Sequence, residues 1–202
     1  MKKAAIGSGV PKKIEKQRHK ADLKLSRSTS HRVATSRGPM VAIACPSTKL
    51  LDDLKDTKTV LDSFGIRSEI TIVAAHRSPR KTLRYIQQLE THGVDVVIAA
   101  GSGSAHLPGM IASLTVIPVI GIPLHSNFQY GIDSLLSMIQ MPQGVPVGTM
   151  GINSSYNAGI FACQVLSLKY PYLKKKLRVY KRNLEQEVET EDSKVKKGND
   201  TL

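Results

Sequence analysis

Several things are scarce in this sequence of 202 residues. There are two cysteines, Cys45 and Cys163, both in apolar surroundings and without CxxC or Cys/His spacing. Two reduced core thiols are therefore expected, ahead of a disulfide or a cysteine metal site. No apolar run approaches the ~20 residues of a membrane span, and the basic N-terminus lacks the apolar segment of a secretory signal. A cytoplasmic protein with no membrane partner is expected. Residues 1–39 have few large apolar side chains and none of the aromatics that stack nucleobases. Neither a P-loop nor a dinucleotide fingerprint is present, because no GxxxxGK[ST] occurs and GSGSAH (residues 101–106) lacks the third glycine of GxGxxG.

Acidic residues are also few, 16 against 29 Lys and Arg. The excess is local: residues 1–40 carry a net +9, residues 41–168 are neutral, and residues 169–202 carry +4. A globular core without net charge gives no reason to expect a nucleic-acid partner, except through the two basic ends. The division expected is a basic, largely disordered extension over 1–39, with a short helix around 12–25, then an α/β domain over 40–168. A charged helix from Leu173 to about Val188 and a polar tail complete the stretch 169–202. At 41% hydrophobic residues, the chain can bury one sizeable core.

The core is organised around Val96–Met110, VVIAAGSGSAHLPGM. Its β-branched start reads as a strand buried on both faces. The strand empties into small residues, which let a ligand approach backbone N–H groups, and Leu107–Leu114 reads as a helix whose N-terminus favours an anion. A tight structural turn accounts for the same residues equally well.

Around this stretch, strands and helices alternate. Val41–Cys45 is the first strand, and Ser47 or Thr48 caps a helix over about 50–64 that ends at Gly65. Ile66–Ala74 is the second strand, and Ser78 and Pro79 open a helix that closes near Gly93. Val94–Ala100 is the third strand, Pro118–Ile122 the fourth, with a helix over Ile132–Gln140, and Val147–Ile152 the fifth, with a helix over Ala158–Leu168. Five successive βα units require a parallel sheet with right-handed crossovers and helices on both faces, a three-layer αβα sandwich.

Ligands of such sheets bind beyond the carboxyl ends of the strands. The loops CPSTK, AAHRSP and AAGSGSAHLPG converge there and bring Ser47, His76, Arg77, Ser102, Ser104 and His106 to one edge. One arginine, histidine and several hydroxyls suit a phosphorylated small molecule better than a metal or a peptide. His76 is the candidate proton carrier, since imidazole titrates near neutral pH. No carboxylate or cysteine pairs with it in the sequence, so no triad is indicated. His125 and the stretch that follows it read as structural, and His19, His31 and His92 as surface residues.

AAHRSP, AHLPGM, PVIGIPL, DSLLSMIQMPQGVPVGT and NAG resemble, in order and spacing, the PurE family of purine (IMP) biosynthesis, over residues 41–168. The resemblance implies a flavodoxin-like fold, a homo-octamer whose sites lie at subunit contacts, and a reaction without metal or organic cofactor. The activity implied is that of a 5-(carboxyamino)imidazole ribonucleotide mutase, an isomerase. The alternatives are direct carboxylation of aminoimidazole ribonucleotide and a binding or structural protein of the same fold. It further implies that His76 moves the proton, that Arg77 and Ser47 bind substrate, and that Ala75, Ala100, Gly101, Ser102 and His106 line the pocket. Arg77 matches the mutase type, since the direct carboxylases carry lysine there. The first loop departs from the family's GSxSD pattern, reading Pro46-Ser47-Thr48-Lys49-Leu50, so that leucine stands in the place of the aspartate. The third loop reads AAGSGSAH where AGAGGAAH is usual.

Overall fold

The computed structural model describes residues 38–126 and 129–199. The extension over 1–37, with its expected disorder and short helix, lies outside them, as do His19 and His31. The strands are β1 (Met40–Cys45), β2 (Arg67–Ile72), β3 (Val96–Ser102), β4 (Val119–Leu124) and β5 (Gly148–Thr149). The helices are α1 (Lys55–Ser63), α2 (Pro79–Leu89), α3 (His106–Leu114), α4 (Ile132–Ile139), α5 (Ser155–Leu166) and α6 (Pro171–Asn199). The strands form one parallel sheet in the order β2-β1-β3-β4-β5. The second strand thus lies outside the first, and the third crosses to the other side, so strand order reverses between β1 and β3. None of the described helices is long and apolar enough to cross a membrane.

Period-two alternation sends the strand side chains into two cores. Val41, Ile43, Cys45, Val96, Ile98 and Ala100 pack on one face with Leu54, Leu61, Ala158 and Leu166, while Ala42, Ala44, Val97 and Ala99 meet Ile86, Leu107 and Ile111 on the other. The two thiols are free and fully buried, and burial pushes that of Cys163 up to about 12.

On the first face α1 and α5 are clasped by a buried pair of hydroxyls. Thr57 Oγ1 donates to the Ser155 carbonyl at 2.8 Å, and the Thr57 N–H donates to Ser155 Oγ at 3.2 Å. At the amino end of the sheet, Asp95 accepts from the Met40 N–H at 3.1 Å, from Tyr170 OH at 3.0 Å and from Lys169 Nζ at 2.7 Å. One carboxylate therefore ties β1 to the segment between α5 and α6.

Three elements differ from the sequence expectation. The first helix is preceded by two 3-10 turns, Thr48–Leu50 and Asp52–Leu54. Their tighter winding turns Leu54 fully inward and leaves Asp52 and Asp53 exposed, the former paired with Lys55 at 2.8 Å. The fifth strand pairs over two residues only. Pro146 has no N–H to give to a ladder, and the strand is an edge. The last helix runs on to Asn199, because Glu- and Lys-rich sequence sustains it after the polar tail was expected to begin. Its first turns pack through Leu173, Leu177 and Tyr180, with Lys176 Nζ donating to the Phe64 carbonyl at 2.7 Å.

Candidate active site

A cleft of about 150 Å³ opens at the carboxyl ends of β1, β2 and β3. It is lined by Pro46 from the first loop, Ala74–Arg77 from the second, and Ala100, Gly101, Ser102, Ser104, His106 and Leu107 from the third. Lining residues therefore come from both sides of the strand-order reversal, where an open parallel sheet leaves a crevice. The lining carries an arginine and two histidines and no carboxylate.

The second loop closes as a turn, with the Ser78 N–H donating to the Ala74 carbonyl at 2.9 Å. Pro79 then opens α2 with no side chain capping it. His76 and Arg77 project from this turn and are both exposed. Arg77 donates through Nη2 to the Pro46 carbonyl, which ties the second loop to the first.

The third loop is held more tightly. A Cβ at Gly101 would lie 2.6 Å from the Ser104 carbonyl oxygen and 2.6 Å from Met138 Cε, so no larger residue fits without movement. Gly103 has φ +73°, the left-handed conformation that glycine adopts without steric cost, and its N–H donates to Ser134 Oγ at 2.7 Å. Ser134, fully buried on α4, in turn donates to the Leu124 carbonyl at 2.9 Å. Ser102 Oγ donates to the His125 carbonyl at 3.1 Å. The loop then delivers α3, whose first turn no side chain caps. The uncapped N-terminus of α3, which brings His106 and Leu107 into the lining, and the Arg77 guanidinium thus meet at one small cleft, an arrangement suited to an anion.

The rings of His76 and His106 meet edge to face, with centroids 4.2 Å apart and planes at 77°. Ser104 Oγ lies 2.6 Å from His106 Nδ1. Among the described residues no carboxylate bonds His76, and no group of three or more His, Cys, Asp or Glu is arranged to hold a metal ion.

His76, Arg77, Ala75, Ala100, Gly101, Ser102 and His106 line the cleft. Ser47 does not. It caps the first 3-10 turn, where its Oγ accepts from the Lys49 N–H at 3.3 Å, and Pro46 reaches the cleft instead. Leu50 is likewise absent from the lining, packed half-buried against the first core. The segment after His125, read as structural, supplies Ser134 and Met138, which hold the third loop from beneath, a role the sequence reading did not assign to either residue. Their four-residue spacing on one helix face was the available signal.

Comparison with known proteins adds independent information. Residues 40–187 match the AIR carboxylase family profile. The N5-carboxyaminoimidazole ribonucleotide mutase of Pyrococcus horikoshii is 46% identical over 154 residues, which cover 76% of this chain and 87% of that protein. The enzyme of the same name from Thermotoga maritima is 46% identical over 150 residues, 74% of this chain and 88% of that one. A phosphoribosylaminoimidazole carboxylase of Schizosaccharomyces pombe is 42% identical over 159 residues, 79% of this chain and 29% of that longer protein. In three dimensions, PurE of Treponema denticola superposes with a TM-score of 0.70 at 23% identity, covering 77% of this chain and 98% of that one, a likeness of fold.

Proposed function

This chain belongs to the AIR carboxylase family, and on that premise we propose that it is an N5-carboxyaminoimidazole ribonucleotide mutase of purine biosynthesis. The observation that carries the reading is His76 beside Arg77 in a small cleft without carboxylates, in a chain 46% identical to two mutases along most of their length.

The isomerisation moves a carboxyl group from the exocyclic nitrogen to a ring carbon. The carbamate C–N bond breaks to release carbon dioxide, the nitrogen gains a proton, a C–C bond forms, and the ring carbon gives up its proton. Atoms balance with one acid/base that serves both atoms, and His76 is that group. Arg77 holds the phosphate, aided by the N-terminus of α3. Ala75, Ala100, Gly101, Ser102 and His106 wall the heterocycle and keep carbon dioxide beside the ring, which substitutes proximity for concentration. No metal or organic cofactor enters these steps.

Ser47 Oγ accepts from the Lys49 N–H, which leaves its own O–H to donate to substrate from the first loop. The Leu50 side chain adds no obstacle, since it packs against the core. Small-molecule sites usually enclose about 300 Å³ or more, whereas one copy of this chain offers about 150 Å³. The shortfall supports sites completed by a neighbouring subunit, in a homo-octamer. The α/β body over 40–168 carries the reaction in this reading, the basic extension over 1–39 and the end over 169–202 take no part, and the enzyme is cytoplasmic.

The test is conversion of N5-carboxyaminoimidazole ribonucleotide to its ring-carboxylated isomer by the purified protein without bicarbonate, beside His76→Asn. Turnover by the parent and its loss in the variant is the expected result. Turnover of aminoimidazole ribonucleotide only when bicarbonate is added would make the protein a direct carboxylase. A folded oligomer inactive in both assays would make it a binding protein on an enzyme fold.

A further inference from the structure

The mutase reading leaves one question about His76 open: what orients it. An imidazole that moves protons is normally held by a hydrogen bond from its second nitrogen to a carboxylate or carbonyl, and among the described residues no carboxylate bonds this one. Its ring neighbour is His106, set edge to face at 4.2 Å. That neighbour is itself a loose object, an exposed histidine at the first position of α3, unless something fixes its rotation.

Ser104 supplies the fixation. Its Oγ is 2.6 Å from His106 Nδ1, a short bond that sets both the ring's rotation and which nitrogen is engaged. The serine can act as a post because the loop that carries it is anchored. The Ser104 carbonyl oxygen lies 2.6 Å from where a Cβ on Gly101 would stand, Gly103 is in the left-handed conformation, and the Gly103 N–H is bonded to the fully buried Ser134. A continuous line of contacts therefore runs from the rigid α4 through Ser134, Gly103, Ser104 and His106 to His76.

We propose that Ser104 is a positioning residue for His76, acting through His106: its hydroxyl locks the His106 ring, and the locked ring holds the proton-carrying imidazole edge-on in the cleft. The inference rests on the mutase reading for its catalytic consequence, while the hydrogen-bonded chain itself is independent of it. Ser104 does not transfer a proton and need not touch substrate. It narrows the set of orientations His76 samples, so its effect falls on turnover and not on substrate binding.

The experiment uses the full chain and two variants, Ser104→Ala, which removes the hydroxyl, and Ser104→Thr, which keeps it. The expected result is a fall in kcat of about tenfold in Ser104→Ala with KM changed less than about twofold, and recovery to within about threefold of the parent in Ser104→Thr. Nitrogen-15 spectra of the histidine rings in the unliganded protein supply a second readout that a packing role would not move. The His106 Nδ1 resonance, hydrogen-bonded in the parent and in Ser104→Thr, should move in Ser104→Ala, where that bond is lost, with the His76 resonances shifting as well. Parent-like kcat in Ser104→Ala would overturn the proposal. So would equal losses in both variants with unchanged ring spectra, which would make Ser104 a loop-packing residue. A parent without turnover would defeat the mutase reading alone; unchanged His76 and His106 spectra in Ser104→Ala would then still overturn the coupling, and shifted ones would sustain it.

Discussion

The two ends of the sheet handle polar groups in opposite ways. At the amino end, Asp95 takes three donors from β1 and from the segment between α5 and α6. At the carboxyl end, two imidazoles, one guanidinium and the uncapped N-terminus of α3 face a cleft with no carboxylate in its lining. The first end is closed by internal pairing, and the second is left with donors that a ligand must satisfy. Residues that close a structure and residues that leave it receptive are thus about one strand length apart on the same framework.

The sharpest way to break this contrast is to change one residue at each end. His76→Asn should reduce mutase turnover by about a hundredfold or more while the midpoint of thermal unfolding stays where it is; an unfolding shift as large as that of a core variant would mean that His76 is structural. Gly101→Ala is the next largest. The added methyl meets backbone oxygen at 2.6 Å, and overpacking of this kind costs about 1–3 kcal/mol, which denaturant titration measures along with the loss of activity. Asp95→Ala should cost about 1–2 kcal/mol through the unpaired donors it leaves, with kcat per folded molecule unchanged. A matching loss of kcat would show that the two ends are coupled.

The smallest effect concerns pH. The hydrogen bond to Asp95 raises the pKa of Lys169, so the folded protein keeps that proton to higher pH than the unfolded chain does. Its contribution is fully present below the ordinary lysine value of about 10.5 and is lost as pH rises through the raised one. Cys163 acts in the same direction from a lower start, since its unfolded thiol ionises near pH 9 and the buried one only at about 12. The urea midpoint should therefore be lower at pH 11 than at pH 8. The fall should be slightly shallower in Asp95→Asn, where the thiol remains and the lysine has lost its partner.

Much of this was legible in the sequence, for reasons that differ by residue. Val96–Ile98 announce a buried strand by β-branching, Ser78-Pro79 announces a helix start, and Gly65 and Gly93 do take the left-handed backbone that closes a helix, with φ +70° and +71°. The cleft's histidines and arginine could be placed because loop positions in a parallel sheet follow from topology. The support beneath the cleft could not be. Ser134 meets Gly103 across 31 residues and Lys169 meets Asp95 across 74, and no local pattern encodes either partner. Leu50 was read against a motif aspartate by position along the chain. The 3-10 turns wind that stretch differently from a helix and send the side chain to the core.

The reversal of strand order between β1 and β3 also governs how the molecule is made. Because β3 must insert between β1 and β4, the crevice has no wall until a pairing between residues about 55 apart, such as Val41 with Val96, has formed. Long-range parallel pairing of this kind is slow and cooperative. A nascent or partly unfolded chain therefore has no crevice at this edge, and the crevice itself reports on completed folding of the sheet's centre.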